Sequence, residues 1–223
     1  MTPRNRTLLI VATVIVLVGA LAGISVLLSS DDPGEPVASV PEGGEVTLPE
    51  NVEENQPVEV IGAPLPSYDS GAADSAIAMP APVVNGASFD GTAVSTGGND
   101  GRPSMLVYLA HWCPHCNDEI PELIELQNRN GIPEELDVIG ISTGVDSNGP
   151  NYPPSQWMLD TGFPWPVMAD DEQATAFLAN GGSGFPYSVL LDGDGNVLSR
   201  SSGSKSAEDI AAWIQEGLAG AAA

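Results

Sequence analysis

The stretch Met105-Leu106-Val107-Tyr108-Leu109-Ala110-His111-Trp112-Cys113-Pro114-His115-Cys116 decides the reading of this chain. It opens as an apolar run with little alternation, the pattern of a central strand covered on both faces. It closes on the only two cysteines of the protein and, with them, its only two histidines. Glu119 to Leu126 continues with helical spacing, and Pro114 suits a first helical turn, where its missing N–H costs nothing. Asp118 and Glu119 are expected in that first turn, at the positive end of the helix dipole.

Strand, Cys-x-x-Cys, helix is an arrangement that makes sulfur reactive. A thiolate attacks disulfides, and a helix N-terminus supplies free N–H groups and a dipole that stabilise it. Cys113 is therefore expected to be the exposed nucleophile. Cys116, one turn on, resolves the mixed disulfide and closes the intramolecular one. Pro114 and His115 between them set how oxidising the pair is, and a hydrogen bond from His115 would stabilise the thiolate further. His111 is read as a proton shuttle or an exposed loop residue.

Downstream of the motif, Pro121 is expected to kink the helix and Asn130-Gly131 to end it. Leu136 to Ser142 reads as a second buried strand. Helices are expected over Pro153–Asp160 and Asp170–Ala179, with a short strand near Pro166-Val167-Met168 between them. Ser188–Leu191 and Asn196–Arg200 form strands around the turn Asp192-Gly193-Asp194-Gly195. A last helix starts at Ser206, an N-cap candidate, and ends near Gly217 or Leu218, with Ile210, Trp213 and Ile214 on one face. Upstream, Ala81–Val84 and Thr92–Val94 flank the turn Asp90-Gly91. Strands alternating with helices imply an α/β sheet covered on both sides.

Further upstream the character changes. Ser29 to Ala78 is rich in Pro, Gly and Ala and holds eleven Asp or Glu with no Lys or Arg. Such a segment buries too little apolar surface to offset its ordering entropy, so residues 31–78 read as a disordered, self-repelling linker. Short apolar pieces such as Val58-Glu59-Val60-Ile61 could add an edge strand, but the linker reading is preferred. Leu8 to Leu28 carries no charge and is long enough to cross a hydrocarbon core roughly 30 Å thick. Arg4 and Arg6 before it, and Asp31, Asp32 and Glu35 after it, keep the N-terminus in the cytoplasm and send the rest out. Ala20-Leu21-Ala22 resembles a signal-peptide cleavage site, but the apolar run continues past it, so an uncleaved anchor is preferred. The expected domains are 1–30, a cytoplasmic N-terminus and transmembrane helix; 31–78, the linker; and 79–220, the folded domain.

The 223 residues carry 30 acidic against 6 basic side chains, a net charge of −24. A phosphate backbone would be repelled, which argues against nucleic acid as a partner. Two cysteines three positions apart cannot staple distant segments, so a redox pair, part of a metal site or two ordinary thiols remain. A location beyond the membrane favours the redox pair.

These motifs resemble the thioredoxin fold, and in layout the membrane-anchored TlpA/ResA group of extracytoplasmic thiol-disulfide oxidoreductases. Trp112-Cys113-Pro114-His115-Cys116 matches the W-C-x-x-C signature. Pro121 falls where the group's first helix is kinked. Gly184-Phe185-Pro186 matches the loop whose proline is cis and faces the active cysteines, and Leu191–Gly195 matches the hairpin that follows. Thr143 to Asn180 matches the group's helix-containing insertion. The resemblance implies a central mixed sheet flanked by helices, a cis Pro186, and a Phe185 backbone that pairs with an extended client segment. Trp112 and Phe185 are the implied substrate-binding residues, and no cofactor is called for. Implied partners are protein thiols or disulfides and a partner that recycles the pair.

Two departures stand out. Thioredoxin has a buried acid where this chain has Val107, so proton transfer at Cys116 must use another group or water. Pro114-His115 resembles the oxidant DsbA, whereas the layout resembles reducing TlpA relatives, so the direction of electron flow stays open. The alternative function is a Cu(I)-binding metallochaperone without redox turnover, since soft thiolates select that ion. A zinc set of His111, Cys113, His115 and Cys116 is disfavoured because those side chains diverge into a helix. Asp192–Asn196 imitates an EF-hand start but lacks its Gly and terminal Glu, and reads as a turn.

Overall fold

Strand β4, Ser104–Leu109, is buried at all six positions, and the sheet is built outward from it. The computed structural model describes residues 51–97 and 101–221. The other strands are β1 (Glu59–Ile61), β2 (Val83–Ala87), β3 (Ala93–Ser95), β5 (Asp137–Ser142), β6 (Val167–Ala169), β7 (Tyr187–Leu191) and β8 (Val197–Ser202). Their order across the sheet is β1-β2-β6-β5-β4-β7-β8, with β3 paired to β2. The β4–β5 and β5–β6 pairs are parallel; β4–β7, β7–β8 and β2–β6 are antiparallel. This is the mixed sheet that the resemblance implied.

Because successive side chains of a strand alternate between faces, β4 feeds two cores. Met105, Val107 and Leu109 lie in one, with Ile120, Leu123 and Leu126 of helix α1 (Pro114–Asn128) and Ile210 and Ile214 of helix α4 (Ala207–Ala221). Leu106 and Tyr108 lie in the other, with Phe177, Tyr187, Leu65 and Ala76. The remaining helices are α2 (Pro154–Thr161) and α3 (Thr175–Ala179). Helix α3 starts five residues later than the expected Asp170–Ala179. The Asp170 and Asp171 carboxylates take the N–H groups of Phe177, Ala176 and Thr175, and Ala174 has a left-handed φ of 56°. The chain is held in a capped turn there rather than in helix.

The expected boundary at residue 79 falls too late. Residues 51–78, read from composition as linker, include β1, which pairs antiparallel with β2. The Leu65 and Tyr68 amides donate to Ala179 and Gly181 carbonyls, and Leu65 and Ala76 are buried. A proline-rich segment has less entropy to lose, so a few anchors on a preformed sheet suffice to order it. The anchor at Leu8–Leu28 lies outside the described residues, as does the beginning of the linker. Among the described residues no helix is long and apolar enough to cross a membrane.

Candidate active site

Cys113 occupies the N-cap of α1 in extended conformation, φ −80° and ψ 119°, with Pro114 as the first helical residue. Among the described residues no side chain caps this end. The Cys113 carbonyl accepts the Cys116 and Asn117 amides at 3.1 and 3.3 Å, which fixes the turn between the cysteines. The Cys113 Sγ lies 3.8 Å from the Phe185 carbonyl oxygen. The Phe185–Pro186 peptide bond is cis. Cys116 lies behind, fully buried, with its Sγ accepting the Ala110 amide at 3.4 Å. Both cysteines are free thiols.

The two sulfurs sit in different electrostatic settings. Burial pushes the Cys116 thiol well up, and the Ala110 N–H only partly offsets that loss of water. Glu119, one turn further along α1, is 4% exposed, and its Oε2 has no hydrogen-bond partner among the described residues. Burial raises the Glu119 carboxyl to about 7, against the pull of the Lys205 charge and backbone N–H. Its charge in turn contributes to the rise at Cys116. A carboxylate one helical turn from a buried thiol, and losing its proton near neutrality, is suited to take a proton from it.

A second layer fixes the mouth of the site. The His111 ring is fully buried, its Nδ1 lies 2.7 Å from the Pro150 carbonyl, and its Nε2 accepts the Asp146 amide at 3.1 Å. Those partners define the tautomer, with the proton on Nδ1. Trp112 donates from Nε1 to the Gly144 carbonyl at 2.6 Å and meets the Phe185 ring edge-on at 5.7 Å. Phe185 stacks on Phe177 at 4.6 Å. The segment from Gly144 to Asn151 is thereby tied to the residues before the nucleophile.

A Redoxin family profile matches residues 75–213, more than half of the chain. The chain belongs to the Redoxin family. It is similar to the soluble secreted antigen MPT53 of Mycobacterium tuberculosis, 33% identical over 75 residues, which are 34% of this chain and 39% of that protein. It is also similar to the thiol:disulfide interchange protein DsbE of Pasteurella multocida, 29% identical over 103 residues, 46% of this chain and 52% of that one. The chain thus spans about half, or less, of the curated relatives it matches. A crystal structure of a thiol:disulfide interchange protein of the thioredoxin family from Chlorobium tepidum superposes with a TM-score of 0.51 at 29% identity. It covers 66% of this chain and 99% of that one.

Within this Redoxin domain the structure brings together Trp112, Cys113, Cys116, Phe185 and Pro186, and leaves His115 apart. The His115 side chain is 67% exposed, with Nδ1 3.8 Å from an Asp118 oxygen. Its expected hydrogen bond to the thiolate is replaced by this contact with Asp118. Cys113, expected to be exposed, is only 6% exposed, although still more open than Cys116. His111 is neither shuttle nor exposed loop residue, because both ring nitrogens are engaged by backbone. Among the described residues no three His, Cys, Asp or Glu side chains converge as a metal site. Neither Asp118 nor Glu119 falls in the first turn of α1, and Glu119 lies buried on the helix three residues after Cys116. Its signal was available, since residues three apart share a helix face.

Proposed function

We propose that this protein is an extracytoplasmic thiol-disulfide oxidoreductase acting on protein thiols. The observation that carries the reading is Cys113 Sγ at the open end of α1, against the Phe185 carbonyl, with a buried second thiol one turn behind. The Cys113 thiolate attacks a client disulfide, forming a mixed disulfide as the client S–S bond breaks and the departing sulfur takes a proton. Cys116 gives its proton to the Glu119 carboxylate and attacks Cys113 Sγ. The Cys113–Cys116 bond forms, the client's second sulfur leaves, and the pair is oxidised by two electrons as the client is reduced. Run backwards, the same steps oxidise a client dithiol. A dithiol or disulfide partner resets the pair.

Pro114 starts the helix that activates Cys113, and Trp112 walls the site. The backbone of Phe185, beside Pro186, pairs with the extended client segment. The apolar stretch Leu8–Leu28 and its flanking charges support a single-pass anchor with the domain outside the cytoplasm. The domain organisation follows: anchor, then tether, then a folded part beginning before residue 79.

The test is turnover of a model protein disulfide. Cys113→Ser should abolish it, and Cys116→Ser should trap the mixed disulfide. Retained turnover in Cys113→Ser would overturn the assignment.

A further inference from the structure

We infer that the cavity between α1 and α2 is a subsite for a cationic side chain of the client, a lysine or arginine near its reacting cysteine. The inference deepens the proposed function and rests on it. The cavity encloses about 300 Å³, the small end of ligand pockets and suited to one side chain. Its walls include Asn117, Asn151, Tyr152, Gln156, Trp157 and Asp160.

It adjoins the reacting pair through Asn117, whose Nδ2 donates to the Cys113 carbonyl at 2.8 Å and the His111 carbonyl at 3.3 Å. Asn151 Nδ2 donates to the His111 carbonyl and to Asn117 Oδ1, and Trp157 Nε1 to that same oxygen. Gln156 Nε2 donates to Asp160 Oδ1 at 2.7 Å. The side-chain donors are thus largely engaged within the wall. What the wall retains is acceptors: the amide oxygens of Asn151 and Gln156 and the second carboxylate oxygen of Asp160. Tyr152, 47% exposed, adds an aromatic ring. Among the described residues, neither lysine nor arginine lines the cavity. Spare acceptors, one carboxylate and an aromatic face suit an ammonium or guanidinium group.

The test uses the intact protein and a set of acetylated peptide disulfides with lysine, or norleucine in its place, at successive positions from the cysteine. Serine-for-cysteine versions of the same peptides report binding without exchange, read by NMR at the Trp157 indole and Asn117 side-chain amide. At one position lysine should bind about three- to tenfold tighter than norleucine, as expected for an exposed ion pair with a cation–π contact. The same preference should appear in kcat/KM. In Asp160→Lys the lysine-to-norleucine ratio should fall to one or below. Equal affinity for lysine and norleucine at every position overturns the subsite, whether or not exchange occurs. Turnover of the norleucine peptide reports exchange separately, so its absence would sink the proposed function without touching the binding result.

Discussion

Glu119 follows Cys116 by one turn of α1 and is, at 4% exposure, nearly as buried as that thiol, whose rise its charge adds to. It is a buried acid on α1, whereas β4 has Val107. Burial raises its carboxyl from an ordinary 4.5 to about 7. A group raised in the folded state contributes stability fully below its unfolded value, and that contribution is lost as pH rises through the folded one. Native protein should therefore lose up to about 3 kcal/mol between about pH 4.5 and 7 from this group alone. Glu119→Gln should flatten that limb in denaturant titrations. It should also slow resolution at Cys116 about 10²-fold and remove the rise of that step through neutral pH, measured by single-turnover mixing. An unchanged pH profile would remove Glu119 from the proton path.

His111 ties the 144–151 segment to the strand end through two backbone groups. His111→Ala leaves the Pro150 carbonyl and Asp146 amide without these partners. A cost of about 2–4 kcal/mol is expected in chemical denaturation. Hydrogen exchange at the Asp146 amide should accelerate more than exchange in β4. Unchanged protection at Asp146 would mean that other contacts hold the segment.

Gly182 sits against the Phe177 ring, so closely that a Cβ there would collide with it. Phe177 stacks on Phe185, whose carbonyl faces Cys113. Gly182→Ala should therefore cost about 1–3 kcal/mol by overpacking and also lower kcat/KM on a protein disulfide. A stability loss with unchanged kcat/KM would show that Phe185 keeps its place when Phe177 moves.

The central strand, the position of the cysteines at a helix start and the hairpin after Leu191 could be read from the chain because each depends on local pattern. Apolar runs, a proline at a first turn and Asp-Gly pairs act over a few residues. What escaped depends on distant partners. The imidazole of His111 is matched to backbone groups 35 and 39 positions away, which leave no side-chain signature. Helix α3 starts late because two aspartates at 170 and 171 bond forward to the amides of residues 175–177. Residues 51–78 carry the composition of a disordered segment, and their order comes from polar anchors on a sheet formed elsewhere in the chain.

The strongest of those anchors is Arg200 with Asp74. Arg200 lies on β8, its side chain 1% exposed, and its Nε donates to Asp74 Oδ2 at 2.9 Å while Nη2 bonds the other carboxylate oxygen. Nη1 donates to the Pro66 carbonyl at 2.7 Å, and the guanidinium lies 5.3 Å from the Tyr68 ring centre. One buried cation thus holds the incoming segment at three places. Its hydrogen bond keeps the Asp74 carboxyl below the usual range, so this pair stabilises the fold above ordinary aspartate titration and weakens as acid protonates Asp74. Arg200→Met should cost about 3–5 kcal/mol, because it strands a partly buried carboxylate. Adding Asp74→Asn should recover part of that loss, since no charge is then left unpaired. Limited proteolysis should locate the damage: cleavage between residues 62 and 78 should rise in Arg200→Met while β4 and α1 remain protected. Uniform cleavage across the domain would show instead that the segment and the sheet unfold as one unit.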